Sequence, residues 1–151
     1  MVTDRREPSR TYRPGARAGW VNRVTVAMAR RGLLPRASVL TTRGRRSGQL
    51  RVNPVTPIEV GGRHWLVSPY GEVGWVHNVR ANRDVTLARR RTTRRFTVRE
   101  VGAEEAGPVL KRYAEVVWIV RPYFLADHRD PVSAFVAEAA RHPVFELVPA
   151  D

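Results

Sequence analysis

The chain has no cysteine and, among 151 residues, one lysine, Lys111. Without cysteine there is no disulfide and no thiolate-bound metal. The four histidines, His64, His77, His128 and His142, show no ligand spacing, so no metal site is expected. Long apolar runs are missing as well: stretches such as Val116–Val120 fall far short of the ~20 residues that cross a bilayer. The opening segment MVTDRREPSRTYRPGARAG is basic and contains proline, with no continuous apolar core ahead of a small-residue cleavage site. It is not expected to be a secretory signal, and a cytoplasmic location is expected. Acidic residues are scarce, 14 against 27 basic ones, leaving a net charge of +13. With one lysine, 27 − 1 leaves 26 arginines. That surplus suits an anionic partner or an anionic lipid surface, and so strong a preference for arginine also fits GC-rich coding. Local clustering is therefore more informative than the total.

At this length, with 42% hydrophobic and 27% charged residues, one globular domain is expected. Residues 1–18 read as a basic flexible arm and 19–151 as the domain. Gly19 to Leu34 places Trp20, Val24, Ala27 and Met28 on one stripe, with Arg23, Arg30 and Arg31 at its flanks, which predicts an amphipathic helix. Strands are predicted at Val39–Arg43, Leu50–Val60 and Arg63–Pro69, the last two joined by Gly61-Gly62. A short helix follows over Gly74–Asn82, then strands at Asp84–Ala88 and Arg94–Val101 around a turn at Arg89–Thr93. Helices are predicted at Ala103–Trp118 and Pro131–Arg141, and a closing strand at Val144–Val148. Hairpin-linked strands with helices inserted between them predict an α+β fold, a small antiparallel barrel.

The stretch VLTTRGRRSGQLRVNPV, Val39–Val55, sets four arginines and two glycines between apolar runs. The turn offers backbone N–H groups from Arg46 to Gly48, a Ser47 hydroxyl, and guanidinium groups from Arg45, Arg46 and Arg51. That set suits a phosphate, with amides forming a nest and arginine forks neutralising charge. It is not a P-loop, because no Gly-Lys-Ser/Thr ending opens a helix. The residues alone leave two readings open, a phosphate clamp and a solvated hairpin tip. The run RRRTTRR, Arg89–Arg95, has no interleaved aromatics for base stacking and reads as a solvated hairpin tip, so no specific nucleic-acid partner is expected. A non-catalytic nucleic-acid binder driven by the +13 charge is the rival function of a different class.

LTTRGRRSGQLRVNPV resembles the Thr-Thr-x-Gly-Arg-Lys/Arg-Ser/Thr-Gly-x-x-Arg pattern, with following Asn-Pro, of the deazaflavin-dependent nitroreductase-like oxidoreductases of actinobacteria. A second segment, Trp75-Val76-His77-Asn78-Val79-Arg80-Ala81-Asn82, is similar to that family's Trp-Tyr-x-Asn-Leu-x-Ala-Asn-Pro, and the ending RHPVFELVP fits its closing strand. The resemblance runs from Val39 to the C-terminus. It implies a split β-barrel of the pyridoxamine-phosphate-oxidase type and, as cofactor, the deazaflavin coenzyme F-420, with FMN as the alternative. Carried over residue by residue, Arg45, Arg46, Ser47, Gly48 and Arg51 would clamp the phosphate. Asn53 belongs to the same motif, Trp75, Val76, His77 and Asn78 would line the cofactor groove, and Val67 and Ser68 would lie beside the ring.

The implied activity is hydride transfer from the reduced coenzyme to a quinone, a nitroaromatic or another conjugated acceptor, with Tyr123 in RPYF as the candidate proton donor. The chain departs from the family pattern at Thr56, where well-known nitroreducing members have tyrosine, and at Ser68-Pro69-Tyr70, where they have a Ser-Lys pair. Its Gly71–Gly74 segment is also shorter. A monomer or homodimer is expected. The apolar stripe of the Gly19–Leu34 helix, flanked by arginines, suits either packing on the barrel or peripheral contact with an anionic membrane, at the inner face of the plasma membrane.

Overall fold

Glycine and proline mark the turns around the second, third and fourth strands. The structure, a computed structural model, describes residues 37–150; the expected basic arm and the Gly19–Leu34 helix lie outside them. Strands β1 (Ser38–Arg43) and β2 (Leu50–Val55) pair antiparallel, Ser38 opposite Val55 and Arg43 opposite Leu50, across the arginine-rich turn. The single strand expected over Leu50–Val60 is instead two. Pro57 has no N–H to give to a ladder, and pairing with β1 ends at Val55. Strand β3 (Ile58–Val60) then pairs with β4 (Arg63–Val67) through Gly61 and Gly62. Both glycines have positive φ, 61° and 75°, which a two-residue hairpin of this hand requires.

Helix α1 (Gly74–Ala81) follows, then the hairpin of β5 (Asp84–Arg89) and β6 (Thr92–Glu100). The second half comprises α2 (Ala103–Val116), a 3-10 turn over Trp118–Tyr123, α3 (Val132–Glu138), a 3-10 turn over Ala139–Arg141, and β7 (Val144–Pro149). The two helices expected to run to Trp118 and Arg141 stop earlier. At Val117 the backbone leaves helical values (φ −112°, ψ 72°), and at Glu138 it does the same (φ −107°, ψ 7°).

The strands form one antiparallel sheet in the order β2-β1-β5-β6-β7-β4-β3. The edge strands β2 and β3 are thus neighbours in sequence, joined only by Thr56 and Pro57. Six inter-strand gaps of about 4.8 Å would hold the edges of a flat sheet some 29 Å apart. Three Cα steps of about 3.8 Å reach no more than ~11 Å. The sheet must therefore curl until its edges approach, and the result is a split barrel with inserted and flanking helices, as expected.

Strand alternation sends side chains into two cores. Trp65 and Val67 of β4 pack with Leu110 and Tyr113 of α2, Phe135 of α3 and Phe124. Leu66, between them, faces the other way into a cluster with Leu40, Val76, Val79, Phe96, Phe145 and Leu147. Gly107 of α2 allows the close approach of α3, since a Cβ there would run into the side chains of Val136 and Val132.

Candidate functional site

The turn between β1 and β2 is organised by its own backbone. The Gly44 amide donates to the Gln49 carbonyl at 2.7 Å and the Gly48 amide to the Gly44 carbonyl at 2.9 Å. Gly48 takes φ 71°, a left-handed value that favours glycine. The Arg43 guanidinium donates to the Gly48 carbonyl at 2.8 Å, and the Ser47 hydroxyl accepts from the Gln49 amide at 3.1 Å. One side chain ties this turn to the barrel. Asn78 of α1, only 6% exposed, accepts on Oδ1 from both the Arg45 amide and the Arg45 guanidinium, each at 3.2 Å. Its Nδ2 donates to the hydroxyl of the fully buried Thr42 on β1 at 3.2 Å.

Two amides are left over. Those of Arg45, Gly48 and Gln49 are occupied, whereas those of Arg46 and Ser47 donate to no group among the described residues. The expected run of free amides from Arg46 to Gly48 is therefore shorter by Gly48, whose N–H closes the turn. Beside the turn lies a groove of about 610 Å³, lined by Arg45, Arg46, Ser47, Arg51, Asn53, Trp75 and Asn78 together with Gly44, Leu50, Val52 and Gly74. Among the described residues no acidic side chain lines it.

Some arginines elsewhere are neutralised by carboxylates. Arg80 bridges Glu72 and Glu100, both at 2.8 Å, and Arg99 bridges Glu105 and Glu146. Those contacts hold the Glu72 and Glu105 carboxyls below the usual carboxylate range, chiefly through the guanidinium hydrogen bonds. Arg45, Arg46 and Arg51 have no acidic partner among the described residues. Guanidinium groups without a carboxylate and two amides without an acceptor among the described residues, with a left-handed glycine, compose an anion cradle, and the residues present fit a phosphate-bearing cofactor.

Asn53 and Trp75 also line a second cavity of about 200 Å³, so the two spaces adjoin. This one is largely apolar, walled by Pro54, Val55, Thr56, Val67, Pro69, Val73, Val117, Ile119 and Val120, with Tyr70 and Tyr113. Tyr113 is buried, and that burial, reinforced by Tyr70, pushes its phenol well above its usual range and keeps it protonated. Trp118 and Ile119, in the 3-10 turn beside the cavity, are 71% and 64% exposed.

Several expected site residues occupy other places. Val76 is wholly buried in the core and cannot touch a ligand in the groove. His77 is half-buried and absent from the groove lining, because α1 turns Trp75 and Asn78 to that side. Gly48 shapes the turn without lining the groove. Ser68 is fully buried, and its hydroxyl donates to the Gly71 carbonyl at 2.5 Å, inside its own loop. Val67 lines the apolar cavity. Tyr123 lines neither space. It packs edge-on against Tyr70, ring centroids 4.7 Å apart, so the tyrosines that face the cavity are Tyr70 and Tyr113. Sequence reasoning missed both; the hydroxyl-bearing Ser68-Pro69-Tyr70 departure was the only signal for the first.

Comparison with solved structures agrees with the curled sheet. A domain-swapped dimer is similar at 22% identity over 83% of this chain and 91% of that one, with a TM-score of 0.56. An F420-H2-dependent reductase (FDR-A) matches at 24% identity over 75% and 94%, TM-score 0.50. A candidate pyridoxamine 5'-phosphate oxidase from Listeria innocua matches at 14% identity over 83% and 91%, TM-score 0.52. These likenesses establish the fold, the pyridoxamine-oxidase-like split barrel. No curated protein matches the chain by sequence. The profile of one sequence family matches residues 16–124, which include both the arginine turn and α1. By that match, which spans more than half its length, the chain belongs to the F420-H2-dependent quinone reductase family.

Proposed function

We propose that this protein reduces a quinone-like acceptor with hydride from reduced F-420. The observation that carries the reading is the adjacency of an anion cradle, without a carboxylate partner among the described residues, to an apolar cavity lined by two tyrosines, with Asn53 and Trp75 lining both. Arg45, Arg46 and Arg51, with the amides of Arg46 and Ser47, would hold the coenzyme's phosphate, and Trp75 and Asn53 would wall its ring. Bound there, the reduced deazaflavin supplies a hydride. The residues around the cavity do the rest: they exclude water, orient a flat acceptor, and present phenolic O–H groups. Reducing a quinone to a hydroquinone takes one hydride and one proton; the Tyr113 phenol, made a weaker acid by its burial, would hydrogen-bond the acceptor oxygen, and the proton would come from solvent.

The exposed Trp118 and Ile119 beside the cavity support a lipid-soluble acceptor arriving from an apolar phase. Among the described residues no helix is long and apolar enough to cross a membrane. A homodimer is the assembly we favour, since one similar structure is a domain-swapped dimer; sedimentation at several concentrations tests this.

The deciding experiment titrates the full chain with F-420 and with FMN, following tryptophan fluorescence, and then assays menadione reduction by each reduced cofactor. F-420 binding at micromolar concentration with F-420-dependent menadione reduction is the expected result. Turnover with reduced FMN alone would replace the deazaflavin by the flavin, and binding of neither would remove the enzymatic reading.

A further inference from the structure

The structure assigns a task to the buried pair Glu138 and His142: we infer that it is a proton-bridged clasp that holds together the two walls of the apolar cavity and so positions the acceptor. The inference rests on the functional reading above for the identity of what the cavity holds.

Both side chains are buried, 5% and 2% exposed, and stand four residues apart at the end of α3. His142 Nδ1 lies 3.0 Å from the Pro69 carbonyl oxygen, and Nε2 lies 2.9 Å from Glu138 Oε1. The Glu138 carboxyl also accepts from the Leu125 amide, at 3.2 and 3.0 Å on its two oxygens, and from the Ala126 amide at 2.8 Å. The imidazole stacks on Phe124, centroids 4.1 Å apart and planes 22° from parallel.

Proton accounting follows from these contacts. A carbonyl oxygen only accepts, so Nδ1 carries a hydrogen and donates it to Pro69. Nε2 and Oε1 cannot both present lone pairs at 2.9 Å; one proton lies between them. Whichever atom holds it, the pair as a unit binds that proton and carries no net charge, which is the state a dry interior permits. Among the described residues neither side chain has another ionic partner; their hydrogen-bond and ring contacts are the Pro69 carbonyl, the Leu125 and Ala126 amides and Phe124.

What the pair connects gives it a function. Pro69 and Tyr70 form one wall of the apolar cavity, and the 3-10 turn that ends at Tyr123, just before Phe124 and Leu125, brings Ile119 and Val120 to the other. Glu138 grips the chain just after that turn, and His142 grips the loop of Pro69. The Tyr70–Tyr123 ring contact joins the same two walls. The clasp touches neither the groove nor the cavity, so it is a positioning device.

The test uses the full chain and the probes menadione and F-420, with affinities read by tryptophan fluorescence and menadione also measured at saturating oxidised F-420. Glu138→Ala removes the bridge and should raise the menadione Kd about tenfold while leaving the F-420 Kd within about twofold. Glu138→Gln should restore menadione binding, because its carbonyl accepts the Leu125 and Ala126 amides and its NH2 donates to Nε2 of a neutral His142. Should the alanine variant not fold, Glu138→Leu with His142→Phe replaces the pair by apolar groups, a change often tolerated in cores, and should show the same selective loss of menadione. The clasp is overturned if menadione affinity is unmoved, if both probes weaken together, if glutamine is as poor as alanine, or if the wild type binds no menadione. A wild type that binds menadione with this pattern yet ignores F-420 would keep the clasp and sink the deazaflavin reading.

Discussion

Replacing Asn78 by alanine detaches the anion turn from the barrel while leaving every arginine in place. Three hydrogen bonds disappear, two from Arg45 and one to Thr42, each at 3.2 Å. That is the long end of the range, so each contributes about 0.5–1 kcal/mol. Arg45 is exposed and water can take over as acceptor, which puts the stability cost at about 1–2 kcal/mol, or roughly 3–8 °C in Tm for a domain of this size. Binding should suffer in a different way. The amides of Arg46 and Ser47 converge only while the turn keeps its pose, and without Asn78 that pose rests on the Gly44 and Gly48 backbone bonds and on Arg43. The expected loss of F-420 affinity is about tenfold, ~1.4 kcal/mol of lost preorganisation. Asn78→Asp separates the contributions: it keeps an oxygen for Arg45, but it sets a carboxylate in the groove and should bind the coenzyme more weakly than the alanine variant. Thermal scans report the first effect, and quenching of tryptophan fluorescence during a coenzyme titration reports the second. If Asn78→Ala lost stability as expected yet bound F-420 within twofold of wild type, the turn would be self-sufficient and this account of it wrong.

Other consequences can be checked independently. Arg51→Ala should weaken F-420 binding about tenfold or more, the value of a charge-assisted phosphate contact, while Arg89→Ala, on the far hairpin, changes it little; equal losses would point to bulk charge or to a nucleic-acid binder. Gly107→Ala should destabilise the fold by about 1–3 kcal/mol in urea unfolding, because the added methyl meets Val136 and Val132; a change within the error of the denaturant midpoint would mean that α2 and α3 separate freely. Tyr113 has a raised pKa in the fold, so its stabilisation is complete below the unfolded phenol value of about 10 and declines as pH rises above it toward the folded value. Its tyrosinate absorbance should therefore appear only with alkaline unfolding, and its appearance while the fold persists would refute its burial.

Local signals carried most of the strand map. Gly61-Gly62, the alternation around Trp65 and Val67, and the Phe96/Val98 pattern each depend on residues a few positions apart, and the strands stand there with ends moved: β4 stops at Val67, and β6 runs from Thr92 to Glu100. The break at Thr56-Pro57 was harder to see, because apolar residues continue on both sides and a proline is also tolerated inside β2, at Pro54. The groove was legible as far as its contents were contiguous: the arginine turn and Trp75 to Asn78 are short motifs, and Trp75, Asn78 and the turn do line one space. Val76 and Ser68 were misplaced because a motif names a segment, while the helix phase and the loop's internal bonds decide which side chains leave it. The tyrosine-faced cavity and the Glu138–His142 pair were illegible, since they join residues 43 and 73 positions apart whose meeting is a property of the closed barrel.

One feature of the sheet bears on how the chain can reach this state. β7 follows every other strand in sequence, yet it lies in the middle of the sheet, hydrogen-bonded to β6 on one side and β4 on the other. Before it docks, the rest is two pieces, the four-stranded β2-β1-β5-β6 and the small β3-β4 hairpin, connected through Thr56 and Pro57 and through the segment of α1. Closure therefore waits on pairings between residues as far apart as His64 and Leu147, the kind of contact whose loop entropy slows folding. During synthesis the groove-forming turn and α1 are made early, but the barrel that fixes them against each other is completed by Val144–Pro149. Deleting those six residues removes the keystone of the sheet, where a loss at β2 or β3 would only trim its rim.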